Sequence, residues 1–292
     1  MRTLPIFGIA LAAALTLPPV SVAQGVLVAP HAVVIDHRTR SGSLSLYNPG
    51  DQPAEVSLST FFGYPVTDSS GNFDLRTVER PAANMPSAAG WLEAFPKRMV
   101  LQPKERQTVR LLARPPQALP DGEYWARLVV SAKGGSVPVS GVNDSSGITV
   151  GLNLEVRTVL PLQYRKGAVA TSVRASGLSA GVEGDSLAVR LHLVRQGTAA
   201  YIGTVRGALA DGSGRTVATF SSPVAVYYEV DPRFTAALPD GKLPPGPYRL
   251  RAASRVSGAR SSRSVVTSTR RRYGPGGSLP SGSAAVKRGS TS

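Results

Sequence analysis

"LPDGEYWARL" occupies Leu119–Leu128 and "LPPGPYRLRA" occupies Leu243–Ala252, so one phrase of leucine, proline, a turn glycine and a tyrosine occurs twice in the chain. In each copy the tyrosine comes two residues after the glycine and precedes a short stretch typical of a β-strand. A tyrosine in this position can donate a hydrogen bond from its hydroxyl to the backbone upstream. We therefore predict two such tyrosine corners, at Tyr124 and Tyr248. The alternative is that the phrase is a common way of leading a turn into a strand.

Tyrosine corners are typical of immunoglobulin-like sandwiches, and two corners in two β-rich halves predict two such domains. We place an N-terminal domain at 24–166 and a C-terminal β-sandwich domain at 167–256, because Lys166-Gly167 separates two sets of strand-like segments. The chain has no cysteine, so burial of a core has to stabilise each domain without disulfides. The predicted fold class is therefore all-β.

The longest regular pattern in the sequence is "ITVGLNLEVRTVLPLQY", from Ile148 to Tyr164. Apolar residues fall on its even positions, with only Thr158 as an interruption, and the odd positions are mostly polar. This alternation indicates a β-strand that exceeds the usual length of about five or six residues. We therefore expect the strand to extend beyond its sheet or to change its partner partway along. The alternating apolar residues are Ile148, Val150, Leu152, Leu154, Val156, Leu160, Leu162 and Tyr164.

Shorter strand-like segments lie on both sides of this pattern. Leu44 and Leu46 alternate with serine, and the alternation resumes in 56–58 after "YNPGDQPAE", which predicts two strands joined by a tight connection. The stretch 63–90 is poor in pattern, with a turn expected at "TDSSGNFD". In the second half, apolar residues alternate cleanly over 187–193 and predict a further strand.

The N-terminus has the composition of a secretory signal peptide. Met1-Arg2 supplies a positive charge, Ile6–Leu17 is an apolar run, and Ser21–Ala23 provides the small residues that signal peptidase requires. We predict a signal peptide over 1–23, cleaved after Ala23, and therefore an exported protein. The apolar run is too short for a comfortable membrane span, and no later stretch is long enough.

The net charge of +15 is concentrated at the C-terminal end of the chain. No acidic residue follows Asp240, and from 257 onward the chain consists largely of serine, glycine, arginine and proline. We predict a disordered basic tail over 257–292. Such a tail either attracts anionic polymers or only keeps the end of the chain solvated. The eleven basic residues after Asp240 are Lys242, Arg249, Arg251, Arg255, Arg260, Arg263, Arg270, Arg271, Arg272, Lys287 and Arg288.

Three phrases of the chain resemble the PapD-like periplasmic chaperones that assist the assembly of pili and related surface fibres. They are "AVVIDHRTRSGSLSLYNPGDQPAEVSLS", "WLEAFPKRMVLQPKERQTVRLLARPPQALPDGEYWARLVV" and "GLNLEVRTVLPLQYRKG", and together they cover most of Val26–Gly167. The second domain matches more weakly, through its strand order and "VAVYYEV". Within this family the chain resembles a branch of molecular chaperones without an assigned fibre system more than the best-studied pilus chaperones. The resemblance implies a periplasmic protein whose two immunoglobulin-like domains are set in an L.

The resemblance also implies a function for the long strand. Members of the family lend the last strand of the first domain to an incomplete pilin subunit, and alternate side chains fill the open groove of that subunit. By this likeness Leu152, Leu154 and Val156 are donor side chains, and Ile148 and Val150 extend the row. The alternative is that apolar residues at a period of two simply belong to the core.

The anion anchor of the family is missing from this sequence. Pilus chaperones typically use an arginine in the first strand and a lysine near the end of the donor strand to hold the terminal carboxylate of the subunit. The corresponding positions here are Ala32 and Pro161, which have no cationic side chain. Arg157 and Arg165 share the strand parity of Pro161 and are candidate substitutes for the anion anchor, the alternative being that both are solvated.

No motif indicates an enzyme, and we predict neither catalysis nor a cofactor or bound metal. The three histidines lack metal-ligand spacing, and no phosphate- or nucleotide-binding motif occurs. The expected partners are an exported pilin-like subunit, an outer-membrane usher and a second copy paired through an exposed sheet edge, without specific nucleic acid. The alternative function is a structural or adhesive sandwich protein whose basic tail binds anionic surface polymers.

Overall fold

The computed structural model describes residues 25–138 and 151–256, together with the short segments 263–267, 271–273 and 285–287. Within these residues the chain is all β, apart from one 3₁₀ turn at Pro239–Gly241. The same part of the chain contains no helix long and apolar enough to cross a membrane. The predicted signal peptide lies outside the described residues.

Ten strands form the N-terminal domain, and they are β1 (Leu27–Ala29), β2 (Val33–Asp36), β3 (Ser41–Tyr47), β4 (Ala54–Thr67), β5 (Phe73–Val78), β6 (Leu92–Phe95), β7 (Arg98–Leu101), β8 (Arg106–Ala113), β9 (Gly122–Pro138) and β10 (Gly151–Lys166). One sheet has the strand order β1-β3-β8-β6, and the other has the order β2-β10-β9-β4-β5, with β7 also paired to β4. Apolar side chains from both sheets form one core, in which Leu44, Leu111 and Leu128 are buried. The N-terminal domain is therefore a two-sheet β-sandwich.

The first segment of the domain is divided between the two sheets. β1 pairs antiparallel with β3, whereas β2 pairs parallel with β10 in the other sheet. Contact between β2 and β10 extends only from Val33, opposite Leu162, to Asp36, opposite Arg165. Because the segment changes sheets, it closes the edge of the second sheet at one end of β10 only.

The tight connection predicted after Leu46 is present, but the strands it joins, β3 and β4, lie in different sheets. Asn48 holds this crossover, since its Nδ2 donates to the carbonyl oxygens of Gln52 at 2.8 Å and Leu101 at 3.1 Å. Its Oδ1 accepts a hydrogen bond from the backbone N–H of Gly50 at 3.0 Å. An alternating pattern does not distinguish a hairpin from such a crossover, because both require only two short strands and a turn.

The turn predicted at "TDSSGNFD" is confirmed, and it closes a hairpin whose strands the weakly patterned sequence after Gly63 did not indicate. β4 continues to Thr67 and pairs with β5 from Phe62, opposite Val78, to Thr67, opposite Phe73. At the tip, the carbonyl oxygen of Gly71 accepts a hydrogen bond from the backbone N–H of Arg233, in the second domain, at 3.0 Å. Contacts with another domain stabilise this hairpin, and a local sequence pattern carries no sign of them.

The C-terminal domain is a second sandwich. Its strands are β11 (Thr171–Glu183), β12 (Ser186–Gly197), β13 (Tyr201–Ala210), β14 (Thr216–Val226), β15 (Glu229–Val230), β16 (Arg233–Ala237), β17 (Gly246–Val256), β18 (Arg263–Thr267), β19 (Arg271–Tyr273) and β20 (Ala285–Lys287). One sheet contains β11-β12-β15 with β16 beside β12, and the other contains β14-β13-β17-β18-β20 with β19 beside β17. The alternation predicted over 187–193 is confirmed, because Leu187, Val189, Leu191 and Leu193 are all buried.

Both predicted tyrosine corners are confirmed by their hydrogen bonds. The hydroxyl of Tyr124 donates to the carbonyl oxygen of Pro120 at 2.9 Å, and that of Tyr248 donates to the carbonyl oxygen of Pro244 at 2.6 Å. In each domain the bond joins a tyrosine near the start of a strand to a proline of the preceding loop, four residues upstream. The repeated phrase therefore has the same structural role in both sandwiches.

The predicted disordered tail includes three strands in the structure. β18 pairs with β17, β19 pairs with the start of β17, and β20 pairs with β18. The physical reason is that β17 has a second edge whose backbone groups can accept a following segment. The remaining residues of 257–292 lie outside the described part of the chain.

An aromatic cluster packs the two domains against each other. Phe62, Tyr64 and Trp125 come from the N-terminal domain, and Ala200 and Tyr227 come from the C-terminal domain. The rings of Trp125 and Tyr227 meet edge to face, with their centroids 4.6 Å apart. The cluster buries large apolar surface and so restricts motion of one domain relative to the other.

Candidate partner-binding edge

The two edges of β10 differ in how they are paired. One edge pairs antiparallel with β9 along the whole strand, from Gly151 opposite Pro138 to Lys166 opposite Gly122. The other edge pairs with β2 only over Leu162–Arg165. Among the described strands none pairs with this second edge from Gly151 to Pro161. An unpaired edge presents a row of backbone N–H and C=O groups to which another strand can bind.

Burial changes sharply along one face of β10. Leu160, Leu162 and Tyr164 are at most 2% exposed, whereas Leu154 is 43% exposed and Val156 is 38% exposed. All five lie on even positions and therefore point to the same face of the sheet, which is the face toward the core. The open half of the strand thus presents core-type side chains that its own domain leaves partly uncovered.

Small neighbours add to the exposure of these two side chains. Leu154 lies opposite Gly134 on β9, and Val156 lies opposite Ala132. On the next strand, β4, Ala54 in turn lies opposite Gly134. A glycine and two alanines provide little side-chain surface, so Leu154 and Val156 stand above their neighbours at the sheet edge.

The five residues predicted to form the donor row are only partly within the described structure. Ile148 and Val150 lie outside the described residues. Leu152 is on β10 opposite Val137, next to a register shift between Leu152 and Leu154, and its side chain is not among those described. Leu154 and Val156 are therefore the two predicted side chains that the structure brings together at the open edge.

Arg157, one of the two candidate anion anchors, lies in the open half of β10 and is exposed. Its Nε donates to Oε1 of Glu155 at 2.8 Å on the same face of the strand. This hydrogen bond raises the pKa of the Arg157 guanidinium and lowers the pKa of the Glu155 carboxyl. The guanidinium thus already has an anionic neighbour, although both groups remain in solvent.

Arg165, the other candidate anchor, lies in the closed half of β10 and binds a buried carboxylate. Its Nε donates to Oε2 of Glu123 at 2.7 Å, and the Glu123 side chain is 0% exposed. Oε1 of Glu123 accepts from Nε1 of Trp125 at 2.8 Å and from the backbone N–H of Ala200 at 2.9 Å. Since Ala200 belongs to the C-terminal domain, these bonds connect β9 and β10 to that domain.

A buried cation that the sequence did not single out lies directly opposite Pro161. Arg127, on β9, is 8% exposed, and its register partner on β10 is Pro161. Its Nε donates to the carbonyl oxygen of Gly63 at 3.0 Å, and its guanidinium lies 4.9 Å from the ring centroid of Tyr227. Arg127 occupies an odd position of an alternating strand, where sequence patterns indicate a solvated residue. Its burial depends on Tyr227 of the C-terminal domain, a contact that the sequence pattern of β9 does not reveal.

Comparisons with known proteins give similarities to solved structures only. No protein-family model and no curated protein matches the chain. The chain is similar to the CsuC-CsuE chaperone–tip adhesion subunit complex of archaic chaperone-usher Csu pili of Acinetobacter baumannii, at 14% identity and a TM-score of 0.43, covering 83% of this chain and 97% of that one.

Two further solved structures contain a chaperone. The E. coli chaperone DraB is 13% identical with a TM-score of 0.42, covering 86% of this chain and 96% of that one. The Salmonella enterica complex of the SafA pilin with the SafB chaperone is 16% identical with a TM-score of 0.38, covering 86% of this chain and 96% of that one. Because these TM-scores are below 0.5, the fold is taken from the strand pairing of the chain itself and no function is inferred from the similarities.

Proposed function

We propose that the chain is an exported chaperone that binds a β-rich pilus or surface-fibre subunit along the open edge of β10. The observation that carries this proposal is the second edge of Gly151–Pro161, which has no partner among the described strands, with Leu154 and Val156 exposed beside it. Strand addition to a sheet edge is an established mode of recognition in which the backbone provides affinity and alternate side chains provide specificity. Both parts are present here on one strand.

The physical gain from such binding has two parts. Each new backbone hydrogen bond contributes about 0.5–1.5 kcal/mol net, and an unpaired stretch of this length can form several. Covering the exposed parts of Leu154 and Val156 adds about 1–2 kcal/mol in total, because full burial of such a side chain contributes about 1.5–3 kcal/mol. A partner with its own missing strand would gain a core in return.

The exposure of these side chains favours a donor role over a purely structural one. Leu160 and Leu162 fit the interpretation that alternating apolar residues are core, since both are buried. Leu154 and Val156 do not fit it, because a large fraction of each is in solvent. An apolar row on an unpaired edge is a liability for aggregation in a protein with no use for it.

The closed half of β10 supports the open half as a rigid element. β9 pairs with β10 throughout its length, and the hydrogen bonds between Glu123 and Arg165 hold the far end against the C-terminal domain. A strand that is already extended loses little conformational entropy on binding. The chaperone can therefore present a preformed strand, while the incomplete subunit supplies the flexibility.

The compartment and the further partners belong to the same proposal. The signal peptide predicted over 1–23 supports a periplasmic location. Delivery to an outer-membrane usher, and pairing of two copies through the β10 edge in the absence of a subunit, are consistent with an open strand. Arg157 and Arg165 stay predictions as anion anchors, with Glu155 and Glu123 respectively as their present partners.

The experiment is a pull-down of the mature protein from periplasm, tagged at its N-terminus, in moderately high salt. Val156→Arg, which places a charge in the open edge, is compared with Val100→Arg. Val100 is 53% exposed on β7 and is separated from β10 by β4 and β9, so it is a matched control. Leu154→Arg repeats the test at the second donor position. The melting temperature of each variant is measured to establish that it is folded.

We expect one small exported β-rich protein to co-purify with the native chain, and with Val100→Arg, in an amount nearly equal to that of the tagged protein. Val156→Arg and Leu154→Arg should lose it while they remain folded, because a buried unpaired charge is costly. If both edge variants retain the same protein at native levels, β10 is not the binding edge and the proposal is wrong.

A further inference from the structure

One sheet of the C-terminal domain carries charge of a single sign. Its six strands, β13, β14 and β17 to β20, contain no aspartate or glutamate, but they contain eight basic residues. The other sheet of the same domain is mixed, with Glu183 and Glu229 in its strands. The basic residues of the first sheet are Arg206, Arg249, Arg251, Arg255, Arg263, Arg271, Arg272 and Lys287.

Four of these residues form an exposed group that we call the arginine face, namely Arg206 on β13 and Arg249, Arg251 and Arg255 on β17. Arg206 lies opposite Ala253, between Arg251 and Arg255 of the neighbouring strand. The three arginines of β17 occupy odd positions, so they share a face at a repeat of about 6.8 Å for every two residues. The arginine face is thus an array of cationic side chains on two adjacent strands.

The residues between the arginines are small. Thr204 lies opposite Arg255, Ala208 opposite Arg251 and Ala210 opposite Arg249. Thr219, opposite Ala208, and Ser221, opposite Arg206, continue the surface on β14. These positions of β13 and β14 hold no aromatic or large aliphatic residue, whereas on the other side of β17 the position opposite Ala253 is Val265 of β18.

The arginines of this face have no ion pair or hydrogen-bond partner within the described part of the chain. In the opposite sheet Arg233 pairs with Glu183, and Arg195 donates to the carbonyl oxygens of Tyr227 and Gly197. Arg190 donates to the carbonyl oxygen of Ser69, so Arg174 is the one exposed arginine of that sheet without a partner of either kind among the described residues. Cationic side chains without anionic neighbours repel one another, and binding of an anion relieves this repulsion. The contrast between the two sheets therefore points to an external anion.

A shallow depression extends the face at one end. It has a volume of about 380 Å³, and its lining includes Arg249, Arg251, Pro247, Tyr248 and the turn at 211–214. The carboxylate nearest to it, Asp211, is already occupied, because it accepts from Nε of Arg215 at 3.2 Å and from the hydroxyl of Ser213 at 2.6 Å. The depression is therefore open to a phosphate group that bridges Arg249 and Arg251.

We infer that the arginine face binds the surface of an anionic lipid bilayer. Guanidinium groups bind phosphate oxygens in bidentate geometry, and an array of four on one sheet face can contact several lipid headgroups at once. A polysaccharide site would be expected to offer exposed aromatic rings for stacking, whereas Tyr248, the ring that lines the adjoining depression, is only 6% exposed. Each arginine near such a surface strengthens binding by about fivefold. The inference goes beyond the proposed chaperone activity. Lipid binding would hold the protein close to the membrane from which the exported subunits emerge.

The test uses the full mature chain and vesicle co-sedimentation. Vesicles of phosphatidylcholine alone are compared with vesicles that contain phosphatidylglycerol, at about 0.15 M and 0.5 M salt. The variant R206Q/R249Q/R251Q/R255Q removes the face, and R76Q/R80Q/R98Q/R110Q is the matched control. The control residues are exposed arginines of the N-terminal domain that form no ion pair within the described residues, so both variants lose four charges.

We expect the native chain and the control to bind phosphatidylglycerol vesicles at 0.15 M salt, to release them at 0.5 M salt and to ignore phosphatidylcholine. The face variant, which lacks four arginines, should lose about 600-fold in partition coefficient at about fivefold for each. Equal losses of vesicle binding in both variants would mean that only the net charge of the protein matters, and would overturn the inference. If the face variant binds as well as the native chain, membrane binding belongs to the basic tail, which is intact in both variants. That result would also overturn the inference.

Two further arms make the result decisive. Tighter face-dependent binding to soluble dextran sulfate than to the vesicles would make the face a polysaccharide site and would overturn the lipid assignment. Should the fourfold variant fail to fold, R249Q/R251Q replaces it, with an expected loss of roughly tenfold or more. Because subunit capture is tested at the β10 edge, in the other domain, failure of one proposal leaves the other standing.

Discussion

The two halves of β10 pair in continuous register with β9 from Leu154 onward and share the same alternation, yet they have opposite surroundings. Leu162 is 1% exposed in the closed half, and Leu154 is 43% exposed in the open half. Two things contribute to the difference, since β2 reaches only the last few residues and the neighbours of Leu154 and Val156 are a glycine and alanines. The apolar side chains of one strand can thus be covered at one end and exposed at the other, depending on what lies beside them.

The same contrast holds for the ionic groups on the opposite face of the strand. In the closed half Arg165 binds Glu123, whose side chain is 0% exposed, and the pair is fixed by the C-terminal domain. In the open half Arg157 binds Glu155, and both side chains remain accessible to water. Buried charge pairs have large effects when one partner is removed, whereas exposed pairs contribute little.

The largest expected effect comes from truncating the two leucines. Leu162→Ala should lower the free energy of unfolding by about 3 kcal/mol, because it leaves a cavity in a packed core. Leu154→Ala should lower it by less than about 1 kcal/mol, because the side chain is largely in water. Urea unfolding of both variants, with equal m-values, measures the difference. Equal losses would mean that the open half is covered in solution.

Removing the two carboxylates should give the next largest contrast. Glu123→Gln should cost about 2 kcal/mol, because an amide has only one oxygen and cannot accept from Trp125, Ala200 and Arg165 together. Glu155→Gln in the open half serves as the matched control and should leave the unfolding midpoint unchanged. A Glu123→Gln protein as stable as the native one would show that the buried carboxylate does not hold the domains together.

The smallest effect concerns the pKa of Glu155. The hydrogen bond from Arg157 lowers it below its ordinary value of 4.5. A lowered folded-state pKa means that any stabilisation from this group is present above about pH 4.5 and is lost as the pH falls through the folded value. Carboxyl-carbon NMR titration should show the pKa moving up toward 4.5 in Arg157→Gln. An unchanged pKa would show that the ion pair does not persist in solution.

Sequence patterns predicted the site unevenly. The period-two row of β10 identified the strand, and its length predicted that it extends beyond its sheet or changes its partner partway. In the structure β9 accompanies β10 throughout and only β2 is shorter. The turn of the β4–β5 hairpin was predicted, but its pairing and the buried Arg127 were missed. Both depend on contact with the C-terminal domain, and a contact between residues far apart in sequence leaves no periodic sign in either segment.

The sequence by itself determined the all-β class, the two tyrosine corners and the alternating faces of the long strands, because turn chemistry and side-chain parity are local properties. Only the tertiary structure decided which alternating residues are covered. Leu154 and Leu162 look alike in the sequence, and so do Arg157 and Arg165. The position of β2 and the docking of the second domain separate them, because burial depends on neighbours that the local sequence does not specify.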